Sequence, residues 1–437
     1  MVNYLEKVKR IKNPYLIFLP FLFFYFFLVL KSPTHGNFGD EGRYVTFAEN
    51  IINGFYSTPY PGINLWNGPG YPILLIPFVF FKLPLVSITL FNAVLYYISV
   101  VLLFKTLQKF VSFKITLITS LFWACYINSY GEMKVIFCEV VTSFLICLLL
   151  FCVSRSFNGE KASKRYAVFS GLTIGYIVLT KVIFGYVALV LFFALGLLWL
   201  LNSKSFNIKR GVLIMGISLV TIAPYIIYTY SLTGKVYYLS NSGGMSLYWM
   251  SATDENELGD WFSERSIRQD TTLHTKIDQD NTMPGFNNYL YKNHIKDYQE
   301  INKYVGVERD EAYKRIAINN IKNYPVKYLK NCISNIERLL FSFPYSYTLE
   351  HTIMQVAVNG PLVLCMLFSL MVTLVNWRKI PFFLRLILFF VFMYLGVTIL
   401  VSTYTRMFTV IVPVILFWIA FTFNKSIELR LNFEKQL

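Results

Sequence analysis

The sequence predicts an all-α polytopic membrane protein with about ten transmembrane helices and a small outer α or α+β domain. Of its 437 residues, 55% are hydrophobic and only 15% are charged, and the mean hydropathy is +0.50. A soluble globular protein carries about 25% charged residues. Long apolar runs recur along the chain, and a spanning helix needs roughly 20 mostly apolar residues. Because these runs are continuous rather than alternating, they do not favour a β-barrel.

The positive charge follows the loops between the apolar runs. The chain has a net charge of +16, but residues 231–350 contain 14 Lys and Arg against 15 Asp and Glu, a net charge of −1. The remainder therefore carries +17, mostly in short loops, which is typical of cytoplasmic loops in membrane proteins. This distribution does not indicate a nucleic-acid-binding face.

The cysteines and histidines show no metal-ligand spacing and no disulfide framework. Five of the six cysteines lie in apolar runs, where small packing residues are common, and the four histidines are scattered. We therefore expect no metal site and no obligatory cofactor, although use of a divalent metal stays open.

A basic start and an uncleaved first apolar run place the N-terminus in the cytoplasm, and alternation of the basic loops then sets the topology. The predicted spans lie at about 14–31, 85–107, 115–130, 135–153, 166–180, 182–201, 211–230, 352–375, 386–401 and 407–423.

This topology divides the chain into three regions. Residues 1–230 form an N-terminal transmembrane region, which contains a first outer loop at 32–83. Residues 231–350 form an outer soluble domain with helical patterning near 308–341, and 351–437 form a C-terminal transmembrane region. In the first loop, Asp40 to Asn53 has the spacing of an amphipathic helix that ends at Gly54. The short run 71–83 contains two prolines and is predicted to lie along the membrane surface.

The first loop begins with an adjacent acidic pair, Asp40 and Glu41. A carboxylate beside a membrane has to be hydrated, paired or functional. Cations placed at the same boundary suit a phosphorylated, lipid-borne substrate, and a carboxylate can take a proton from an attacking hydroxyl. The other charged residues at this boundary are Arg43, Glu132, Lys134, Glu139, Lys181 and Arg406.

Most of these residues, and Trp66 in the same loop, also have a structural interpretation. The acidic pair can cap the following helix, and Glu139 can pair with Lys134 or Lys181. Lys181 and Arg406 can extend to the interface. Glu132 can be a hydrated loop residue, and Trp66 can anchor the interface.

Four stretches carry a resemblance to a known family. They are Asp40-Glu41-Gly42-Arg43-Tyr44 with Ala48-Glu49 and Gly54, Trp66-Asn67-Gly68-Pro69-Gly70-Tyr71-Pro72, the glycine-rich run that ends in Thr180-Lys181, and Tyr404-Thr405-Arg406. These four stretches, taken in this order and together with Glu139 early in the fourth span, resemble sequences of the C-type membrane glycosyltransferases that use polyprenyl-phosphate sugars. The most similar group is glycosyltransferase family 39, the protein O-mannosyltransferases and aminoarabinose transferases. The chain departs from that pattern where Lys181 replaces an arginine and where a double proline is separated into Pro69 and Pro72.

The resemblance implies an inverting sugar transfer, which the predicted topology would place at the outer face. We expect the membrane to be the plasma (inner) membrane, with the endoplasmic reticulum as the alternative. Asp40 or Glu41 would be the general base, with Asp40 favoured by its leading position and Glu41 assisting or binding the acceptor. The implied partners are a polyprenyl-phosphate sugar, a protein or lipid-linked glycan acceptor, and the bilayer. Lys181, Arg406 and Arg43 would hold the donor phosphate, and Glu139, Glu132, Tyr44, Trp66 and Asn67 would line the substrate cavity.

Two other functions stay open at this point. A lipid-linked glycan transporter or flippase also needs intramembrane charge, but is expected to show repeats or broken helices in matching halves. A glycan polymerase or ligase of another family is expected to place its key polar residues in a large outer loop.

Overall fold

All the regular secondary structure in the described part of the chain is helical. The computed structural model describes residues 13–36, 39–157, 163–262, 286–343 and 349–434. Within these ranges it contains 18 α-helices, one short 3₁₀ turn and no strand, which confirms the all-α fold class. The first ten helices are α1 (Pro14–Lys31), α2 (Glu41–Ile52), α3 (Gly70–Phe80), α4 (Leu85–Leu107), α5 (Phe113–Ala124), α6 (Ile127–Met133), α7 (Glu139–Ser156), α8 (Ser163–Thr180), α9 (Ile183–Leu201) and α10 (Phe206–Thr233).

Four helices lie in the polar segment 231–350, and four follow it. The break between α13 and α14 falls at Pro325, which has no backbone N–H to donate and is tolerated at the first position of a helix. The remaining helices are α11 (Gly243–Met250), α12 (Phe286–Ile301), α13 (Gly306–Asn323), α14 (Pro325–Phe341), α15 (Leu349–Val375), α16 (Phe382–Ile399), α17 (Thr405–Thr409) and α18 (Val412–Glu434).

Seven of the described helices are long and apolar enough to cross a membrane, namely α1, α4, α7, α9, α10, α15 and α16. The chain is therefore a multi-pass membrane protein. Three further apolar helices are shorter, at Gly70–Phe80, Phe113–Ala124 and Val412–Lys425. Each of the ten predicted spans contains a helix, but α5, α8 and α18 are not among the seven, so the number ten stays a prediction. The break at Lys181 that separates α8 from α9 is present.

The described residues form two hydrophobic clusters, a larger one made mostly by the membrane helices and a smaller one in the polar segment. Helices α4, α7, α8 and α10 pack side by side in the larger core. In the polar segment, α11 packs on α13, and Trp249 and Tyr248 are fully buried in a second cluster. The first loop is fastened to this segment by Asn241, whose Oδ1 accepts from Leu65 N at 3.0 Å and whose Nδ2 donates to Ile63 O at 3.2 Å.

Candidate functional site

Helix α2 presents the acidic pair. It begins at Glu41 and buries one apolar side through Tyr44, Phe47 and Ala48, as the spacing predicts. Gly54 ends the helical turn with a φ of +89°, a conformation that glycine adopts without strain. Asp40 occupies the N-cap position but makes no side-chain capping hydrogen bond. Helix capping therefore does not explain why a carboxylate occupies this position.

Asp40 lies between two arginines. Its Oδ1 accepts from Arg43 Nη1 at 2.9 Å, one helical turn further along α2. Its Oδ2 accepts from Arg406 Nη2 at 3.4 Å, at the start of α17. The Asp40 side chain keeps 21% of its surface exposed, so it is open to contact from outside the cluster.

Two further charges extend the cluster behind Arg406. Lys181 Nζ donates to Glu139 Oε1 at 3.1 Å, and Arg406 Nε lies 3.7 Å from the same oxygen. Glu139 begins α7, and Lys181 occupies the break between α8 and α9. The structure thus brings Asp40, Arg43, Glu139, Lys181 and Arg406 together as one continuous chain of contacts. It also shows that Glu139 pairs with Lys181, one of the two structural partners expected for it.

The segment 66–72 packs its backbone against the end of α8. A Cβ atom at Gly68 would lie 2.1 Å from the carbonyl oxygen of Leu179, and one at Gly70 would lie 2.5 Å from Thr180 Oγ1. Tyr176 donates its hydroxyl to the Gly70 carbonyl at 2.7 Å. Only glycine permits such a close approach, and the result is that this segment is held beside Lys181.

Asn67 positions Arg43 from the other side. Its Oδ1 accepts from Arg43 Nη1 at 3.3 Å, and its Nδ2 donates to the hydroxyl of Tyr44 at 3.1 Å. The Arg43 guanidinium also lies 4.7 Å from the centre of the Trp66 ring, within cation–π range. Tyr44 and Asn67 therefore act as supports for Arg43, and Trp66 contacts the cluster rather than standing apart from it.

Glu41 faces a different environment. Its side chain is fully buried, and its Oε1 accepts from Thr34 Oγ1 at 2.6 Å and from the Ile136 backbone N–H at 2.9 Å. These bonds tie the start of α2 to the segment that precedes α7. This geometry favours a structural role for Glu41 over the assisting role expected from the resemblance.

Glu132, in the short helix α6, adds a titratable group to the cluster. Burial, and then the charge of Glu139, raise the pKa of its carboxyl to about 8, although Arg406 and Lys181 oppose the shift. Among the described residues, its Oε2 is buried without a hydrogen-bond partner. At pH 7 the carboxyl is therefore mostly protonated. The cluster then holds three cations, Arg43, Lys181 and Arg406, against two carboxylates, Asp40 and Glu139.

A cavity of about 290 Å³ has Arg43, which contacts Asp40, in its wall. It lies between the first loop and the polar segment, and burial raises the pKa of the Asp310 carboxyl in its wall to about 6. The wall contributed by the polar segment could not be placed from the sequence, because Asn241, just before α11, and the residues from α11 and α13 meet the first loop only through packing. Its lining includes Arg43, Trp66, Asn241, Arg309, Asp310 and Tyr313.

No group of three or more His, Cys, Asp or Glu side chains converges on a possible metal position within the described ranges. The carboxylates of the cluster are instead separated by cations. The expectation about metal use stays a prediction.

Comparison with known proteins gives distant structural matches. No protein-family model matches the chain, and no curated protein matches its sequence. ArnT from Cupriavidus metallidurans bound to undecaprenyl phosphate is 14% identical over 91% of this chain and 77% of that chain, with a TM-score of 0.39. The archaeal oligosaccharyltransferase AglB from Archaeoglobus fulgidus is 14% identical over 96% of this chain and 52% of that chain, with a TM-score of 0.48.

A third match is the Saccharomyces cerevisiae protein O-mannosyltransferase complex Pmt1–Pmt2, at 16% identity over 56% of this chain and 37% of that chain, with a TM-score of 0.38. This chain thus spans about half the length of the oligosaccharyltransferase and about a third of the mannosyltransferase chain. With TM-scores below 0.5, these similarities leave the function to be argued from the site itself.

Proposed function

We propose that this protein is an integral membrane glycosyltransferase that transfers a sugar from a polyprenyl-phosphate donor to a hydroxyl acceptor. The observation that carries the proposal is the position of Asp40, a partly exposed carboxylate between Arg43 and Arg406. A partly exposed carboxylate held beside two guanidinium groups can accept a proton next to a bound anion.

The cluster provides separate places for the two substrates. Arg406 and Lys181 lie on one side of Asp40 and can neutralise a phosphate. We assign the acceptor to the cavity whose wall includes Arg43, the residue that contacts Asp40. A protonated Glu132 leaves a surplus of one positive charge, which favours binding of an anionic donor.

The proposed reaction is a single displacement. Asp40 takes the proton of the acceptor hydroxyl, whose oxygen forms a bond to the anomeric carbon of the sugar. The bond from that carbon to the phosphate oxygen breaks, and the leaving polyprenyl phosphate keeps the electron pair. Arg406 and Lys181 stabilise the charge that develops on it. Attack opposite to the leaving group inverts the configuration at the anomeric carbon.

The proposal places the site at the outer face of the plasma membrane. The cluster lies where α7 begins and α8 ends, which is where the phosphate of a membrane-embedded polyprenyl chain would be accessible. The alternation of basic loops, which assigns this boundary to the outer side, supports the orientation.

The test is donor turnover by purified protein with a panel of radiolabelled undecaprenyl- and dolichyl-phosphate sugars and a membrane extract as acceptor. Wild type is compared with Asp40→Asn and with Glu49→Gln, an exposed carboxylate on the same helix. We expect one donor to be turned over by wild type and Glu49→Gln but not by Asp40→Asn. If folded wild-type protein turns over no donor, but labelled lipid-linked glycan exchanges across the membrane, the protein is a transporter and not a glycosyltransferase.

A further inference from the structure

Helix α14 has its polar side buried and its apolar side exposed, the reverse of a helix on a water-soluble domain. The side chains of Lys327, Asn331, Asn335 and Arg338 are all buried. Such polar groups need hydrogen-bond partners when they leave water.

Lys327 and Asn331, on the polar side, obtain partners from the end of α11 and the loop that follows it. Asn331 Nδ2 donates to the carbonyls of Met250 and Ala252, each at 3.0 Å. Lys327 Nζ donates to the carbonyl of Glu257 at 2.6 Å. The polar side is therefore a scaffold for this loop, and its burial is accounted for.

The apolar side of α14, by contrast, is exposed. Val326, Leu329 and Ile333 are 66%, 61% and 61% exposed, and Ile336 is 39% exposed. Spacings of three and four residues place these side chains on one stripe of the helix. Exposure of a continuous stripe of large aliphatic side chains to water is unfavourable. Such stripes usually mark a surface that contacts a protein or a membrane.

The position of α14 identifies the contact. Asn335 Nδ2 donates to the carbonyls of Ile399 at 2.9 Å and Val401 at 2.7 Å, at the end of α16. Tyr328 donates its hydroxyl to the Leu400 carbonyl at 2.8 Å. Both α16 and α15, the next helix along the chain, are long and apolar enough to span a membrane. Helix α14, which carries the stripe, therefore lies at the level where these membrane helices end.

We propose that α14 lies in the membrane interface, with Val326, Leu329, Ile333 and Ile336 inserted among the acyl chains of the leaflet that meets the ends of α15 and α16. A helix with one apolar side and charged flanks binds an interface in this orientation. Lys330 and Glu337 are exposed and lie along one edge of the stripe, where lipid headgroups would meet them.

The position of α14 in the membrane interface would also set the depth of the candidate donor site. This consequence rests on the proposed function. Asn335 Oδ1 accepts from the Thr403 backbone N–H at 3.2 Å, and Thr405 Oγ1 donates to the Arg338 carbonyl at 3.2 Å. These bonds hold the segment that leads into Arg406. Helix α14 would therefore keep the Arg406 guanidinium level with the phosphate of a membrane-embedded donor.

The depth of α14 is measured with nitroxide labels in proteoliposomes. Cysteines are introduced as Leu329→Cys, Ile333→Cys and the control Lys303→Cys, in a protein in which Cys125 and Cys365, the accessible thiols of the described residues, are replaced by serine. Lys303 is well exposed in the polar segment, its side chain retaining 65% of its surface. We expect the labels at 329 and 333 to collide more with oxygen than with a water-soluble nickel chelate, and the label at 303 to show the opposite preference.

Two results overturn the proposal. If the labels at 329 and 333 prefer the nickel chelate as the control does, the stripe faces water. If they are protected from both reagents, a second copy of the chain or another protein covers it.

The effect on the donor site has its own measurement. Leu329→Glu combined with Ile333→Glu is expected to raise the KM for a long-chain lipid-linked donor several-fold, with kcat and the KM for a short-chain donor unchanged. If the double variant and wild type have equal KM values for the long-chain donor, α14 does not set the depth of Arg406. Because the label experiment needs no turnover, failure of the proposed function would not affect its result.

Discussion

Asp40 and Glu41 are adjacent carboxylates with different contacts. Asp40 meets two arginines and keeps part of its surface exposed, whereas Glu41 is buried and accepts from Thr34 and the Ile136 N–H. Consecutive residues at a helix start point about 100° apart, so neighbours in sequence need not share a site. The sequence predicts the pair as candidate functional residues, but the rotation of α2 that gives the two carboxylates different surroundings depends on how Tyr44 and Phe47 pack.

Replacement of Glu41 is therefore expected to lower stability rather than chemistry. Glu41→Gln retains the shape but weakens two charge-assisted hydrogen bonds, which we expect to cost about 1–3 kcal/mol. The measurement is thermal unfolding in detergent, combined with turnover at a temperature where both proteins are folded. Turnover that falls as far as in Asp40→Asn, without loss of stability, would restore Glu41 to the chemistry.

Glu132 predicts a pH dependence of donor binding. Its pKa is raised to about 8, mainly by burial, so it is protonated below that pH and ionised above it. Ionisation removes the surplus positive charge of the cluster, and the affinity for a phosphate donor should therefore fall as the pH rises from 7 to 9. In Glu132→Gln the affinity should stay level across this range. A parallel fall in both proteins, measured by donor binding, would assign the pH effect to another group.

The same group makes stability fall with rising pH. The folded-state pKa of about 8 lies above the ordinary value of 4.5, so the stability that protonated Glu132 contributes is full below about pH 4.5 and is lost as the pH rises through 8. Glu132→Gln should therefore gain thermal stability relative to wild type at pH 9 compared with pH 5. An unchanged difference between the two proteins at these pH values would argue against a buried, protonated Glu132.

At the scale of elements, the turn 66–72 fixes the geometry between α2 and α8. Helix α2, its end near Gly54 and the break at Lys181 could be predicted from periodicity and breaker residues. The packing of Gly68 and Gly70 on the carbonyl end of α8 could not, because a backbone contact between distant segments leaves no periodic signal. The glycines in the motif show only that some close approach was required.

Gly68→Ala is expected to disturb the site through this contact. A Cβ at Gly68 would lie 2.1 Å from a backbone oxygen of α8, so the turn must move and carry Asn67 away from Arg43. We expect a large loss of turnover, measured in membranes with equal amounts of folded protein. Gly196→Ala is the matched control, since no atom lies within 4 Å of a Cβ there. Equal turnover in the two variants would show that the turn does not position the site.

At the scale of the whole molecule, the site is assembled from segments far apart in the chain. Asp40 and Arg406 are 366 positions apart, and Glu139 and Lys181 lie between them. Topology from the basic loops could place these residues at one boundary of the membrane. It could not show which side chains touch, nor that α11 and α13 complete a cavity beside Arg43, because these features depend on helix packing.

The most direct test of the account separates binding from chemistry in two variants. Donor binding and single-turnover transfer are measured for wild type, Asp40→Asn and Arg406→Gln, each checked for folding by thermal unfolding. If Asp40 is the base, Asp40→Asn should bind the donor nearly as wild type does and transfer the sugar at least about a hundredfold more slowly. Arg406→Gln should lose donor affinity. Transfer by Asp40→Asn at a rate close to that of wild type would show that Asp40 is not the general base.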